Sequence, residues 1–294
     1  MTNTNSRPRR SSLYMPASNA RALEKAKTLA ADTIILDLED AVAPEFKDSA
    51  RDQACEALAL GDYGAREMVI RVNAVDTPWF AQDMKSVCAS KADAILVPKV
   101  CSAADIIEIN AIMDRENSGG PMKLWAMIEM PLAILNIAEI AGMAHSTRLS
   151  GFILGFNDLA KEMRAEPDAS RAIFLPAMAQ TIMAARAHGL IALDSVYNDF
   201  NDPAGLAQEC QQAKAFGFDG KSLIHPAQID IANREFAPDD NKIAEAKAII
   251  AAFSDPENAG KGAISINGKL TELLHLEQAK ETLALAGAIE GASE

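Results

Sequence analysis

The chain has 294 residues, 49% of them hydrophobic, so it can bury a large aliphatic core. Lys and Arg number 28 against 41 Asp and Glu, which gives a net charge of −13. This charge argues against nucleic acid as a partner, since phosphate binding needs a basic surface. No apolar run reaches the ~20 residues of a membrane span, and the N-terminus lacks the apolar core of a signal peptide. We therefore expect a cytoplasmic protein that does not enter a membrane.

Short apolar segments alternate with helical patterns along most of the chain. The second of them, TIILDLEDAVAP from Thr33 to Pro44, is an apolar run that ends in carboxylates and a proline. The predicted strands are Arg10–Pro16, one within Thr33–Pro44, Met68–Asn73, Ala94–Val100, Lys123–Met130, Gly151–Leu159, Leu190–Tyr197 and Asp219–Ile224. Eight such units predict an α/β protein with a (β/α)8 TIM barrel. A doubly wound open sheet is the alternative, although the first βα turn lacks a G-x-G-x-x-G fingerprint.

The pattern predicts three regions. Residues 1–8 are polar and are expected to be disordered, residues 9–238 form the barrel, and residues 239–294 form a C-terminal helical extension. A linker with three glycines precedes a final helix predicted at Leu270–Ile289. A glycine-containing linker before an amphipathic helix is typical of a lid or of an arm on a neighbouring subunit. A packing helix with a flexible connector is the alternative.

Charged or polar residues stand at the C-terminal ends of nearly all these strands, where barrel enzymes carry their reactive groups. They are Glu39, Asp40, Arg71, Asn73, Lys99, Glu129, Asp158 and Asp194. Glu129 and Asp158 follow adjacent strands, and two carboxylates without histidine suit Mg²⁺. A buried pair between Glu129 and Arg71 is the alternative.

Two cations in this group invite specific roles. Arg71 in VIRVN offers a permanently charged planar fork for a carboxylate or a developing oxyanion. Lys99 in VPKV is a further candidate for substrate binding, or it pairs with Glu129. His225, which precedes Pro226, is more typical of a hydrogen-bonded structural residue than of a catalyst.

As a set, several motifs resemble the HpcH/HpaI aldolase and citrate lyase β-subunit family, in its CoA-ester lyase branch. The resemblance covers Arg9 to about Ala279 through RRSSLYMPASN, ILDLEDAVAP, IRVNAVDTPWF, VPKV, IEM, GFNDLA and FDGKSLIHPAQI. It implies a barrel with a C-terminal extension, a homotrimer or homohexamer, Mg²⁺ (or Mn²⁺) as cofactor and a CoA thioester as substrate.

The resemblance also implies roles by position. Glu129 and Asp158 match the metal ligands, and Arg71 matches the arginine that contacts the acyl carbonyl or enolate oxygen. The acidic pair Glu39 and Asp40 lies near the metal's waters in the family. The segment that contacts the CoA nucleotide corresponds to the part of this chain that contains Arg10 and Lys25.

This chain departs from the family pattern at two places that bear on catalysis. Pro131 follows Glu129-Met130, and a proline offers no backbone N–H to an anion. The C-terminal motif reads Gly268-Lys269-Leu270-Thr271-Glu272, with Glu272 where lyases carry an acid/base Asp. The extra methylene moves the carboxyl group by about 1 Å, a shift to which catalysis is sensitive.

The predicted function is Mg²⁺-dependent C–C cleavage of a malyl-, methylmalyl-, citramalyl- or citryl-CoA substrate into a 2-oxoacid and an acyl-CoA. Hydrolysis of malyl-CoA to malate and CoA on the same site is the main alternative. A pyruvate aldolase without CoA, a subunit of a citrate lyase complex and a catalytically inactive barrel are further alternatives.

Overall fold

The computed structural model describes residues 7–117 and 119–292, so most of the N-terminus predicted to be disordered lies outside the described residues. Eight parallel strands close into a barrel, and each pairs with the next in chain order until β8 pairs with β1. The strands are β1 Ser11–Pro16, β2 Thr33–Asp37, β3 Glu67–Arg71, β4 Ala94–Val97, β5 Lys123–Ile128, β6 Leu149–Leu154, β7 Ile191–Asp194 and β8 Gly220–Leu223. The predicted TIM barrel is confirmed.

Helices connect the strands and cover the outside of the barrel. They are α1 Ala20–Ala26, α2 Lys47–Leu60, α3 Phe80–Cys88, α4 Ala103–Glu116, α5 Pro131–Leu135, α6 Ile137–Gly142, α7 Phe156–Met163, α8 Leu175–His188, α9 Pro203–Phe216 and α10 Ile229–Phe236. Short 3-10 helices lie at Pro44–Phe46, Met143–His145, Ala172–Phe174 and Pro226–Gln228. None of the helices within the described ranges is both long and apolar enough to cross a bilayer.

The chain divides into two compact units, Arg9–Phe236 and a second that contains the residues from Ala237 onward. The second unit consists of α11 Asp240–Ser254, a 3-10 helix at Pro256–Asn258, the hairpin β9 Ala263–Ile266 and β10 Lys269–Glu272, and α12 Leu273–Ala292. Asn267 and Gly268 both have positive φ, as an Asn-Gly hairpin turn requires. The predicted C-terminal helix is present, but it begins after this hairpin.

One other predicted boundary needs correction. The predicted strand Gly151–Leu159 ends at Leu154, and α7 begins at Phe156. Gly155 breaks the strand, and Asp158 in the first turn of α7 is favoured there by the helix dipole. After β5, Asn136 separates the two short helices α5 and α6.

Two hydrophobic clusters lie on the two sides of the sheet. The larger cluster fills the space between strands and helices. The smaller cluster fills the barrel interior with side chains from alternate strand positions, namely Ile35, Val69, Ala94, Leu96, Trp125, Met127, Ile153 and Leu193. At the amino-terminal end, the buried pair of Arg9 and Glu67 lies against Trp125, with the Arg9 Cζ 5.9 Å from the ring. The interior is therefore packed below the carboxyl ends of the strands.

The contact between β8 and β1 closes the barrel at a glycine. A Cβ placed on Gly220 would lie 1.9 Å from the carbonyl oxygen of Arg9, so a larger residue there would force the strands apart. Lys221, the next residue, donates its backbone N–H to the carbonyl of Arg10 at 3.1 Å.

A buried ion cluster joins β7, β8 and α9. Lys221 has no exposed surface, and its Nζ lies 2.7 Å from both Asp194 Oδ2 and Glu209 Oε2. Arg171 donates from Nη1 to Asp194 at 2.8 Å. Asp194, one of the strand-end carboxylates, is therefore part of the framework and does not line the cavity described below.

We expect Lys221→Met to lower the free energy of unfolding by about 3 kcal/mol, because removal of one partner leaves buried carboxylates short of positive charge. Urea unfolding measures this. Lys280→Met is the matched control, since the pair of Lys280 with Glu277 is half exposed and exposed pairs contribute under ~1 kcal/mol. Equal losses in both variants would contradict a structural role for the cluster.

Candidate active site

A cavity of about 330 Å³ opens at the carboxyl ends of the strands. Side chains from most of the strands and the loops that follow them line it, including Tyr14, Asp37, Arg71, Glu129, Asp158 and Ser195. Strand residues of one parity point into the barrel, so the polar residues continue the interior columns of apolar side chains. Four of the predicted site residues, Asp40, Arg71, Glu129 and Asp158, line this one cavity.

Glu129 follows β5 and is 1% exposed. Its Oε1 accepts the backbone N–H of Lys99 at 2.8 Å. Burial, followed by the negative charge of Glu39, raises the pKa of Glu129 to about 7, and the Lys99 N–H and Arg71 only partly oppose this. A carboxylate in this setting is a strong candidate for binding a cation.

Lys99 adopts the left-handed conformation, with φ of 56°. This uncommon conformation accompanies the orientation of its amide towards Glu129. Its side chain is partly exposed, and Nζ lies 3.2 Å from Glu39 Oε1. Lys99 therefore contacts Glu129 through its backbone and Glu39 through its ammonium group, so the predicted side-chain pair with Glu129 is not what the structure contains.

Arg71 is paired with Asp37, its Cα partner in the register of β2 and β3. Its Nε and Nη2 donate to the two Asp37 oxygens at 2.7 and 2.6 Å. Its Nη1 lies 2.9 Å from Glu39 Oε2 and 3.2 Å from Asp40 Oδ2. Burial lowers the pKa of Arg71, but the surrounding carboxylates, Asp37 first, reverse this and hold it well above its ordinary value.

The hydrogen bonds of Arg71 go from Nε and Nη2 to Asp37 and from Nη1 to Asp40 and the Met127 sulfur, while the contact of Nη1 with Glu39 is an ion pair. The second N–H of Arg71 Nη2 has no acceptor among the residues that the structure describes. Tyr14 lies against the guanidinium, with 4.8 Å from Arg71 Cζ to the ring centroid. Arg71 is thus held in place while one donor remains for an oxygen of a bound molecule.

Asp37 also shapes the loop that follows β2. Its two oxygens accept the backbone N–H groups of Glu39 at 2.9 Å and Ala41 at 3.1 Å. From the other side, Lys47, only 6% exposed, donates from Nζ to the carbonyls of Leu38 and Glu39 at 2.8 and 2.7 Å. The acidic pair is therefore fixed at its backbone. The Glu39 side chain is buried, which raises its pKa, whereas the Asp40 side chain is 67% exposed.

Asp158 lies in the first turn of α7, and Gly155 precedes that helix. A Cβ on Gly155 would lie 2.5 Å from Glu129 Oε2 and 2.6 Å from Glu129 Cβ, so only glycine leaves room for this carboxylate. The hydroxyl of Ser195 accepts the backbone N–H of Phe156 at 2.9 Å. This bond holds the start of α7, and with it Asp158, at the cavity.

The two residues predicted to bind the CoA nucleotide are differently placed. Arg10 precedes β1, at the amino-terminal end of the barrel, and its Nε and Nη2 each donate to Asp32 at 2.8 Å. The cavity lies at the other end of the barrel, and the role of Arg10 in binding the nucleotide remains a prediction. Lys25 is exposed in the last turn of α1, and its role remains a prediction.

Glu272 belongs to the second unit. It is the last residue of β10, is exposed, and donates its backbone N–H to His275 Nδ1 at 2.9 Å. It therefore lies in the hairpin, and not at the start of the final helix as predicted. Its catalytic role remains a prediction.

Sequence reasoning missed the residues that position the charged groups: Tyr14, Asp37, Lys47, Gly155 and Ser195. Only Asp37 carried a usable signal, since it lies two residues after the interior Ile35 and directly opposite Arg71 in the register of adjacent strands. The remaining strand-end residue, Asn73, donates from Nδ2 to Asp83 at 2.6 Å and is structural.

The donor set fits a divalent cation. Five carboxylates lie around the cavity, and Arg71 and Lys99 are the cationic side chains that pair with three of them. Within the described residues, no group of three or more His, Cys, Asp or Glu side chains could hold a metal ion. Glu129 and Asp158 would thus hold an ion that keeps several waters, which is the habit of Mg²⁺.

A family model described as HpcH/HpaI aldolase/citrate lyase matches residues 10–226. The chain belongs to this family. It is 48% identical over 282 residues to a (3S)-malyl-CoA thioesterase from Cereibacter sphaeroides, covering 96% of each chain. It is 36% identical over 285 residues to the citrate lyase subunit beta of Escherichia coli, covering 95% of this chain and 94% of that one.

A similar solved structure is CitE from Mycobacterium tuberculosis in complex with magnesium, acetoacetate and coenzyme A. It superposes with a TM-score of 0.74 at 29% identity and covers 97% of this chain and 99% of that one. The family predicted from the motifs is confirmed, as is the prediction that the protein is an enzyme.

We expect Glu129→Gln to stabilise the protein at pH 8 in the absence of divalent cations. The folded-state pKa of the Glu129 carboxyl is raised to about 7, so the protonated carboxyl stabilises the fold fully below the unfolded-state pKa. This stabilisation is lost as the pH rises through 7, whereas the amide of Gln does not ionise. The gain at pH 8 is about 3 kcal/mol and disappears towards pH 4.5. Urea unfolding across this range measures it, with Glu281→Gln on exposed α12 as the control. A gain that does not depend on pH would contradict this account.

We also expect Gly155→Ala to displace the Glu129 side chain and to lower the free energy of unfolding by about 2 kcal/mol, a typical cost of overpacking. Gly142→Ala is the matched control, since its Cβ would approach no atom closer than 4.0 Å. Unfolding measurements, with a crystal structure of the variant, provide the test. If Gly155→Ala kept wild-type stability and left the Glu129 side chain in place, the close contact between residue 155 and Glu129 would be refuted.

Proposed function

We propose that the protein is a Mg²⁺-dependent enzyme that acts on a malyl-CoA-type thioester, and that its reaction is hydrolysis to malate and CoA. The observation that carries the proposal is the placement of the buried Glu129 carboxylate and the remaining Arg71 donor on one cavity. The relatives named (3S)-malyl-CoA thioesterase, 47% to 48% identical over nearly the whole chain, support hydrolysis as the reaction.

C–C cleavage to glyoxylate and acetyl-CoA is the second candidate. The citrate lyase relatives favour it, and so does the cavity, since an arginine that stabilises a thioester oxyanion also stabilises a thioester enolate. Both reactions place negative charge on the same thioester oxygen. They differ in the bond that breaks, C–S in hydrolysis and C–C in cleavage.

In hydrolysis, water adds to the thioester carbon, the carbonyl oxygen takes up negative charge, and the C–S bond breaks to release the thiol. The remaining N–H of Arg71 donates to that oxygen, and the Asp37 carboxylate keeps the guanidinium in place. Mg²⁺ held by Glu129 and Asp158 would supply positive charge for the hydroxyl and carboxylate of the acyl group. Lys99 orients Glu129 through its amide and Glu39 through its ammonium group.

Glu272 is the proposed acid/base, and it would act from the extension of a neighbouring subunit in a homotrimer or homohexamer. A carboxylate at this position could take a proton from water in hydrolysis or protonate the enolate carbon in C–C cleavage. Glu272→Gln separates this role from packing, because the amide is nearly isosteric but transfers no proton.

The deciding experiment incubates malyl-CoA with the protein and Mg²⁺ and identifies the products. Malate with free CoA supports hydrolysis, and glyoxylate with acetyl-CoA supports cleavage. EDTA and Asp158→Asn should each abolish either reaction. The absence of all four products at saturating substrate would refute the substrate class, and full turnover by EDTA-treated Asp158→Asn would refute the metal site.

We expect Arg71→Lys to reduce kcat at least ~10²-fold, because lysine keeps the charge but loses the planar fork that binds Asp37 and the substrate oxygen together. Arg115→Lys is the control, since Arg115 is an exposed residue of α4 paired with Glu116. Steady-state kinetics with malyl-CoA measure both variants. An Arg71→Lys enzyme with near wild-type kcat would make Arg71 a structural residue.

A further inference from the structure

Tyr14 lies inside the barrel, one layer below the pair of Asp37 and Arg71. Its Cα partner on β2 is Ile35, two positions before Asp37, and its ring packs against the interior hydrophobic cluster. Tyr14 and Arg71 both line the cavity, and the guanidinium lies over the ring, with 4.8 Å from Cζ to the centroid. The ring is therefore fixed by apolar side chains on one side and by a cation on the other.

The hydroxyl group of Tyr14 has only a weak acceptor. Strands β1 and β5 face each other in the closed order of eight strands, and Tyr14 Oη reaches across the barrel to lie 3.8 Å from Met127 Sδ. A thioether sulfur accepts hydrogen bonds weakly, and no other partner of this hydroxyl lies within the described residues. Rotation about the C–O bond can therefore turn the hydrogen towards a better acceptor in the cavity at little cost.

Arg71 donates to the same sulfur atom as Tyr14. Its Nη1 lies 3.8 Å from Met127 Sδ, so the guanidinium and the Tyr14 hydroxyl approach one region of the cavity, which Met127 also lines. An oxygen atom in that region would meet a charged donor and a neutral donor together. Fixed donors that converge in this way stabilise negative charge as it develops on an oxygen.

The Tyr14 hydroxyl stays protonated at neutral pH. Burial raises the pKa of Tyr14, and the charge of Arg71 opposes this, but the carboxylates of Asp37, Glu129 and Glu39 add to the rise. A tyrosine that does not ionise can donate a hydrogen bond but cannot act as a base.

We propose that the Tyr14 hydroxyl donates a second hydrogen bond to the thioester oxygen of the substrate, beside the bond from Arg71. This inference rests on the proposed function and adds a catalytic residue to it. Negative charge gathers on that oxygen in hydrolysis and in C–C cleavage alike, and the bond strengthens as it does so. The hydroxyl therefore stabilises the transition state more than the bound substrate.

The first test is kinetic and uses Tyr14→Phe, which removes the hydroxyl and keeps the ring against Arg71. We expect kcat and kcat/KM for malyl-CoA to fall together by about 10²-fold, the cost typical of one lost oxyanion donor, with KM unchanged. The urea midpoint should stay at its wild-type value, because the fold loses only a bond to sulfur. Tyr63→Phe is the matched control, since that hydroxyl donates to the carbonyl of Leu23 at 3.4 Å and Tyr63 does not line the cavity. Its kinetics should be those of the wild type.

The second test measures the hydrogen bond without turnover. Acetyl-CoA labelled with carbon-13 at the thioester carbon has the thioester of the proposed substrate but neither its hydroxyl nor its carboxylate. Isotope-edited infrared spectra of the bound ligand report the carbonyl stretch, which a hydrogen bond to the oxygen lowers. The frequency should be lower in the wild type and in Tyr63→Phe than in Tyr14→Phe.

The outcomes separate this inference from the proposed function. Equal carbonyl frequencies in Tyr14→Phe and the wild type overturn the hydrogen bond even if malyl-CoA is hydrolysed, and an unchanged kcat overturns its catalytic role. A frequency difference supports the bond even if the wild type leaves malyl-CoA intact, a result that overturns only the function. Failure of the wild type to bind acetyl-CoA overturns both. A lower urea midpoint with an unchanged frequency would make the hydroxyl a structural group.

Discussion

The ion pair of Asp37 and Arg71 is the interaction on which the rest of the site depends. Both side chains are almost fully buried inside the barrel, and their separation from water is costly unless the charges are paired and hydrogen-bonded. Here the carboxylate accepts from Arg71 and from two backbone amides of the next loop. The pairing of Asp37 with Arg71 across β2 and β3 thereby fixes the position of the guanidinium group and of the loop that carries the acidic side chains.

The part of the cavity that carries Glu129, after β5, is held differently from the Asp37–Arg71 pair. Glu129 accepts one backbone N–H, from Lys99, and lies against Gly155, which has no side chain. Its negative charge is therefore unfavourable until a cation binds. Arg71 is already neutralised, whereas Glu129 is not. A bound molecule therefore meets a fixed donor at Arg71 and an unsatisfied carboxylate at Glu129 in the same cavity, and this difference favours one orientation of the substrate.

Sequence patterns predicted the barrel well because each strand is an apolar run bounded by breakers, and this signal is local. They also located Arg71 and Glu129, since strand ends meet at one edge. They misplaced Asp158 on a strand because Phe156 and Leu159 extend the apolar pattern past Gly155, and only the close approach to Glu129 reveals why the chain turns there. The environment of Arg10 was not predictable, because its partner Asp32 is 22 residues away and pairs with it only in the folded barrel.

The closure at Gly220 has a consequence for how the protein is made. Strands β1 and β8 stand at the two ends of the barrel sequence, so their pairing brings together residues that are separated by nearly the whole unit. A ribosome exposes β1 first and β8 last, and until then the outer edges of the growing sheet have unpaired N–H and C=O groups. The barrel can therefore be completed only after the last strand has been synthesised, and a glycine at the closing position lets that strand approach without a side chain in its path.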